Sequence, residues 1–409
     1  MLTIENTSRR RARDYERERR APSKKGSGRR KVNFSLLNIG KGIDIPFVLL
    51  IFILLAIGIT MMFSASYPVA YYEIGDSYYY LKRQLIFALV GLVIMMGVSF
   101  VDYHYYHRFA AVILGISYFA LLLVLILPSQ EGGVHRWIGV GMFGIQASEI
   151  SKFAIILFMA HWGSRYYDRM DEFKIGVLPG AAVFLSTAML LLFEPHYSCI
   201  VIIGILTVIM LYLSGIKIKW LAIGAAILAV LILLLWVTGM LTYAMERMDG
   251  WGQALNEDLD RDMWNATWQT RNSLYAIGSG GLFGLGLGQS RQKYLYLPEP
   301  QNDFIFAIVC EELGLVGAVI ILLIFALLVW RGVIISLRAR DRFGKLLGIG
   351  LTCHIGLQVV LNILVITDWL PNTGISLPFF SYGGSSLLTL MFEMGVILSV
   401  SRTSNIEKS

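Results

Sequence analysis

Charge is what this chain lacks. Only 15% of its 409 residues are charged, where an ordinary soluble protein carries about 25%. That shortfall excludes a soluble globular enzyme. Cysteine is nearly absent, and the three present, Cys199, Cys310 and Cys353, lie within or at the ends of apolar blocks. An odd, buried set of that kind argues against a disulfide framework or a metal site. The six histidines show no HExxH or other metal-ligand spacing. No aromatic-interleaved basic fold accompanies the positive charge, so no nucleic-acid partner is expected.

What the chain has is apolar residues, 56% of the total, with a mean hydropathy of +0.63. They come in blocks near 20 residues long, the length that spans a bilayer core of about 30 Å. The expected fold is therefore an all-α polytopic membrane protein. Ten spans are predicted, at 46–64, 84–100, 108–128, 147–163, 176–193, 198–214, 220–240, 303–330, 346–366 and 384–400. A polar tail of more than forty residues precedes the first span, which argues against a cleavable signal peptide.

Basic residues set the orientation. The tail 1–43 holds thirteen Lys and Arg, and the loop 331–345 holds Arg331, Arg338, Arg340, Arg342 and Lys345. Arg165, Arg169 and Lys174 follow the fourth span; Lys217 and Lys219 follow the sixth. With ten spans all of them share one side with both termini, and the positive-inside rule makes that side cytoplasmic. The net charge of +7 is thus mostly a topology signal. Three regions result: a basic cytoplasmic tail 1–43, a ten-helix membrane domain 44–402 and a short cytoplasmic tail 403–409.

Polar information concentrates on the opposite, external side. Loop 241–302 is far longer than a connector needs, and such loops are usually functional or disordered. Trp251, Trp264, Trp268, Tyr275, Tyr294 and Tyr296 predict that part of it packs as interfacial helix. The run from Gly278 to Gly288 lacks a preceding strand and a following GKS or GKT, so it is not a nucleotide loop. It reads instead as backbone that must bend or approach something closely.

One residue stands out, Asp303, at the foot of the eighth span. A carboxylate entering membrane costs up to about 2.5–3.5 kcal/mol at a helix centre, less toward the interface, and is by default a functional candidate. A helix cap is the plainer alternative. Two external clusters accompany it. The first runs through His135, Arg136 and Trp137 to Glu149 and Lys152; the last two are i,i+3 on a helix and can neutralise each other. The second, Leu370 to Ser386, ends in Ser381, Gly383, Gly384, Ser385 and Ser386. A helix start free of bulky side chains presents N–H groups and a positive dipole end, suited to phosphate. A structural ion pair and a plain cap are the simpler readings.

Taken together, five stretches resemble the SEDS proteins of shape, elongation, division and sporulation, a family that includes FtsW, RodA and SpoVE. They are HRWIG at 135–139, Gln146 to Lys152, AIGSGGLFG and its continuation at Ala276–Gly288, Pro298 to Gly314, and LPFFSYGGSS at 377–386. The resemblance covers residues 46–402 in matching order, and the ending Phe392 to Arg402 looks closer to the division-type branch. It implies a peptidoglycan glycosyltransferase that polymerises lipid II on the outer face of the cytoplasmic membrane. The family's essential acidic residue matches Asp303; its Glu and Lys match Glu149 and Lys152, its Arg-Trp pair Arg136 and Trp137. A class B penicillin-binding protein transpeptidase is the implied partner, along with other divisome or elongasome membrane proteins. One departure is Glu194-Pro195-His196-Tyr197-Ser198, where the family often has Pro-Asp-hydrophobic-Gly-Thr, so no role carries over to that loop.

The chemistry can be argued beside the resemblance. A sugar hydroxyl attacks an anomeric carbon whose leaving group is a lipid pyrophosphate, and a nearby carboxylate base contributes about 10²–10⁴-fold. Burial beside Phe304 and Phe306 is expected to raise the Asp303 pKa, and a neighbouring cation to lower it. The leaving group needs positive charge from Arg136, Lys152 or Arg271, or from a divalent cation, Mg or Mn, held by Asp303. The Gly383–Ser386 helix start would share that load. The alternatives are a lipid II flippase, which predicts polar residues through to the cytoplasmic side, and a non-catalytic scaffold. His354, Gln358 and Asn362 on the ninth span are the main inward polar stripe, read first as interhelical hydrogen bonding.

Overall fold

A computed structural model describes residues 42–127, 136–139, 144–194, 196–226, 250–256, 258 and 260–403. Among these residues the secondary structure is helical apart from one two-stranded hairpin. The helices are α1 (Ile45–Ile74), α2 (Tyr79–Phe100), α3 (His104–Ile126), α4 (Ala147–Arg165), α5 (Leu178–Phe193), α6 (Tyr197–Leu213), α7 (Arg261–Ser279), α8 (Ile305–Leu337), α9 (Arg342–Ile366) and α10 (Gly384–Thr403). A π-turn, Phe173–Val177, leads into α5. Strands β1 (Trp137–Ile138) and β2 (Ile145–Gln146) pair antiparallel, with Trp137 opposite Gln146. The chain is helical again over 218–226; the remainder of the predicted 220–240 span, His135 and both tails lie outside the described residues.

Among the described residues seven helical segments are long and apolar enough to cross a membrane. Helices α4 and α6 are not among them, because α4 carries Glu149, Lys152 and Arg165 and α6 has only 17 residues. Burial separates centre from rim. The apolar window of α10 is 72% buried and that of α9 61%, against 39% or less in the other five. Helix α4 also buries most of its length. Aliphatic and aromatic side chains of the rim helices, such as Leu89, Val93 and Phe119, remain exposed, as lipid-facing positions require.

Local signals set the helix ends. Asp44 caps α1 by accepting from Phe47 N at 3.0 Å, and its carboxylate also takes a two-pronged bond from Arg331 of α8, at 3.0 and 2.8 Å. Helix α1 then runs ten residues past its predicted end, through Pro68. It stops at Gly75 in the left-handed region, a conformation that costs glycine nothing.

The glycine-rich run before α8 has a specific task. Its backbone wraps the two buried carboxylates Glu311 and Glu312 of α8. Glu312 accepts from Lys293 Nζ (2.8 Å), Ser64 Oγ (2.8 Å), Gly288 N (2.9 Å) and Ser290 N (3.3 Å). Glu311 accepts from Arg291 N (3.0 Å), Gln292 N (3.3 Å) and Ser290 Oγ. Buried charge is tolerated only when compensated in this way. In return α8 breaks at Gly314, with φ 67° and ψ −173°. The freed N–H groups of Leu315 and Val316 donate to Gly281 O and Leu282 O at 2.9 and 3.1 Å.

A Cβ on Gly314 would stand 2.3 Å from Gly284 N. Gly314→Ala therefore combines a backbone region open only to glycine, costing about 1–3 kcal/mol, with a backbone clash. Gly115→Ala in α3 meets nothing within 4 Å and should be neutral or gain about 0.5–1 kcal/mol. Thermal unfolding of the two variants in detergent measures the contrast; equal melting temperatures would contradict it.

Candidate functional site

The approach to α8 is held from three directions. Tyr382 N donates to Gln301 O at 2.8 Å, Ser381 Oγ to Asn302 O at 2.8 Å, and Asn362 Nδ2 to Asp303 O at 2.7 Å. Three successive carbonyls are thereby fixed by groups from α9 and from the segment entering α10. The Asn362 amide also donates to Ile375 O at 2.6 Å, so the 372–377 strand of loop lies against Asp303. The fit is close: a Cβ at Gly374, where φ is +68°, would be 3.0 Å from Asp303 Oδ2.

The Asp303 carboxylate lines a cavity of about 450 Å³, within the usual range of roughly 300–1,000 Å³ for small-molecule sites. Arg136, Tyr197, Ser198, Trp251, Thr270, Asp368, Asn372 and Thr373 share the lining. Burial pushes the Asp303 carboxyl up to about 6, the nearby Glu299 carboxylate adds to the rise, and the Arg136 charge opposes it. Helix α7 closes one side. It is capped by Asp260, which accepts from Met263 N at 2.8 Å. Ser273 Oγ bonds Ile366 O at 2.8 Å, and Gln269 accepts from Asn372 Nδ2 at 2.7 Å.

Behind the cavity the atypical Glu194–Ser198 segment does use its polar residues. Arg136 Nε donates to Glu194 O at 3.3 Å, and Tyr197 and Ser198 line the cavity. Burial raises the Glu194 carboxyl to about 8 despite Arg136, and lowers His196 to about 4. Both are uncharged at neutral pH.

Not every residue singled out from the sequence converges here. Glu149 and Lys152 form a buried ion pair at 2.8 Å, and Glu149 faces a different, water-sized cavity of about 20 Å³ with His354, Gln358, Ser381, Ser386 and Glu393. There His354 Nδ1 pairs with Glu393 Oε2 at 3.0 Å. Arg271 is buried, with its guanidinium 3.7 Å from the Trp264 ring centroid and donating to Asn256 O at 2.8 Å. Of the three cationic side chains expected to meet a diphosphate, Arg136 alone lines the Asp303 cavity. Trp137 is a partly exposed hairpin residue.

The α10 start departs most from expectation. Ser381 is spent bracing Asn302 and Leu377 N, and Ser386 Oγ bonds Gly383 O at 3.1 Å. Gly384 is there for packing, since a Cβ would meet the Phe87 ring at 2.5 Å. Ser385 is buried. None of Gly383, Gly384, Ser385 and Ser386 lines the larger cavity; the contacts they make are bracing and packing contacts. Sequence reading missed Asp368 and Asn372. Asp368 directly follows the last turn of α9 with φ +61°, a value rare outside glycine.

Among the described residues no group of three or more His, Cys, Asp or Glu side chains could hold a metal ion. An ion at Asp303 would need most of its ligands from the substrate, as Mg²⁺ often takes them from phosphates.

Known proteins share both sequence and fold with this chain. The FtsW/RodA/SpoVE model, described as cell cycle protein, matches residues 46–406. Stage V sporulation protein E of Bacillus subtilis is 40% identical over 363 residues, 88% of this chain and 97% of that one. The probable peptidoglycan glycosyltransferase FtsW of Trichlorobacter lovleyi is 36% identical over 360 residues, 88% and 93% of the two chains. A chain from a structure on coordination of polymerization and crosslinking by a peptidoglycan synthase complex superposes with a TM-score of 0.69 at 21% identity, covering 90% of this chain and 99% of its own. The rod shape determining protein RodA of Thermus thermophilus gives 0.64 at 23%, with the same coverage.

The geometry predicts a carboxyl titrating near pH 6 in the purified protein. Infrared difference spectroscopy should show it vanish in Asp303→Asn. It should move higher in Arg136→Gln, because removing the cation leaves burial unopposed. A titration unmoved by either change would contradict the assignment.

Proposed function

Because this chain belongs to the FtsW/RodA/SpoVE family, we propose that it polymerises lipid II into glycan strands with Asp303 as the general base. The observation that carries the reading is a half-buried carboxylate without a protein hydrogen-bond donor among the described residues, sharing a cavity with Arg136. The chain is a multi-pass protein of the cytoplasmic membrane and a peptidoglycan glycosyltransferase, as its relatives are named. In this reading the seven apolar segments, α4, α6 and the span predicted at 220–240 serve as ten crossings. Both termini then fall on the cytoplasmic side and the Asp303 cavity on the outer one.

The acceptor sugar's O–H bond breaks as its oxygen bonds to the donor's anomeric carbon, and the C–O bond to the lipid pyrophosphate breaks behind it. Asp303 takes the proton. A carboxyl with pKa near 6 is a stronger base than an ordinary aspartate yet stays ionised at neutral pH. Arg136 accepts the charge that develops on the diphosphate. As the alternative to the base role, Asp303 would hold a divalent cation, Mg or Mn, which would supply Lewis acidity at the leaving group. The Glu149–Lys152 pair and the bracing residues Asn362 and Ser381 position rather than react.

A class B penicillin-binding protein is the partner proposed, in line with the peptidoglycan synthase complex that contains a chain of the same fold. The relatives' names place the chain nearer the division and sporulation branch. They also favour polymerisation over transport of lipid II.

Asp303→Asn is expected to reduce polymerisation by about 10²–10⁴-fold, read as gel-resolved glycan from purified protein and lipid II, with an unchanged melting temperature. Wild-type glycan yield from that variant would remove Asp303 from the mechanism. Arg136→Gln should lower kcat more than it raises KM, because the diphosphate charge grows in the transition state.

A further inference from the structure

Among the described residues that line the cavity, Trp251 is the larger of two aromatic side chains, with Tyr197, that the proposed chemistry leaves idle. We propose that its indole face is the platform on which a pyranose ring of the lipid-linked amino sugar rests, and that Asp368 holds it in place. The inference rests on the polymerase reading above and adds to it the residue that recognises the saccharide.

Trp251 stays 42% exposed while lining the same cavity as Asp303. A tryptophan ordinarily buries far more of its large apolar surface, so leaving it open beside carboxylates needs a reason. The ring is also fixed. Its Nε1–H donates to Asp368 O at 3.1 Å, and the Asp368 carboxylate accepts from the backbone N–H groups of Gly252 and Ala254. Residue 368 and the 250–254 turn thus clasp each other at three points. Asp368 does so with φ +61°, a backbone cost typical of functional positions.

The chemistry of the surroundings points to a sugar. A pyranose offers one apolar face of axial C–H groups and a rim of hydroxyls and an acetamido group. Trp251 supplies the surface for the first. Thr270, Asn372, Thr373, Tyr197 and Ser198 supply neutral donors and acceptors for the second. A membrane-interface tryptophan, the competing role, turns its N–H toward headgroups and its ring toward lipid; here the N–H is committed to a protein carbonyl and the ring borders a polar cavity.

The test is steady-state kinetics of purified protein on lipid II, with Trp251→Phe, Trp251→Leu and Trp251→Ala. The expected result is a KM about ten-fold higher for Ala and Leu, kcat within about three-fold, and recovery by Phe. Leu preserves apolar packing without a stacking face, so it carries the comparison even where Ala fails to fold. Asp368→Gly should reproduce part of the KM rise. Unchanged KM in Leu, or failure of Phe to recover what Leu loses, overturns the platform. Asp303→Asn is run alongside: full activity there overturns the polymerase reading itself, whereas an inactive Asp303→Asn with an unaltered Trp251→Leu overturns the platform alone.

Discussion

Everything at the site depends on holding one carboxylate at the cavity wall without a protein donor among the described residues. A group like Asp303 would gain energy by turning to water or finding a donor. It finds no donor among the described residues and stays half-buried at the cavity wall, because the backbone from Gln301 to Asp303 is held by three successive carbonyl bonds from Tyr382, Ser381 and Asn362. Those donors come from α9, one of the two most buried membrane helices, and from the segment that joins it to α10. The cost of an uncompensated carboxyl is therefore offset by the rigidity of the bundle centre. The raised basicity of Asp303 follows from that arrangement.

The contrast with Glu311 and Glu312 is instructive. They lie two turns into the helix that Asp303 precedes and are more deeply buried, yet both carboxylate oxygens of each meet donors. The glycine-rich run exists to bring backbone N–H groups close enough to do this, which is why Gly284 and Gly314 cannot carry a side chain. Carboxylates at the start of one helix thus divide into structural ones, saturated with hydrogen bonds, and the proposed base just before it, left open to a cavity. His354 and Glu393 form a further compensated pair in the bundle centre.

Much of this was legible in the sequence. Block length and charge asymmetry located the helices, and the cost of a carboxylate at a helix foot singled out Asp303. Glycines in the 278–288 run were read as close backbone approach, and the contacts of Gly280 and Gly284 with the Cys310 and Glu312 carbonyls bear that out. Helix α1 overshot its prediction because polar and aromatic residues after position 64 weaken hydropathy without breaking the helix. Packing contacts between distant residues were the part the sequence could not show. Gly383 to Ser386 have the composition of an anion site, but Phe87 from another helix occupies the space beside Gly384. Likewise Arg271 looks like a free cation until Trp264 and Asn256 are folded onto it. Asp368 gave no local signal and Trp251 was read only as an interfacial aromatic, since their pairing arises only when residues 117 positions apart meet.

The most direct test of the central claim is a structure of the protein with an unreactive lipid II analogue bound. The account predicts an acceptor sugar hydroxyl within hydrogen-bond reach of Asp303, and the donor diphosphate against Arg136. A diphosphate seated instead on the Gly383–Ser386 helix start, with no sugar oxygen near Asp303, would contradict it.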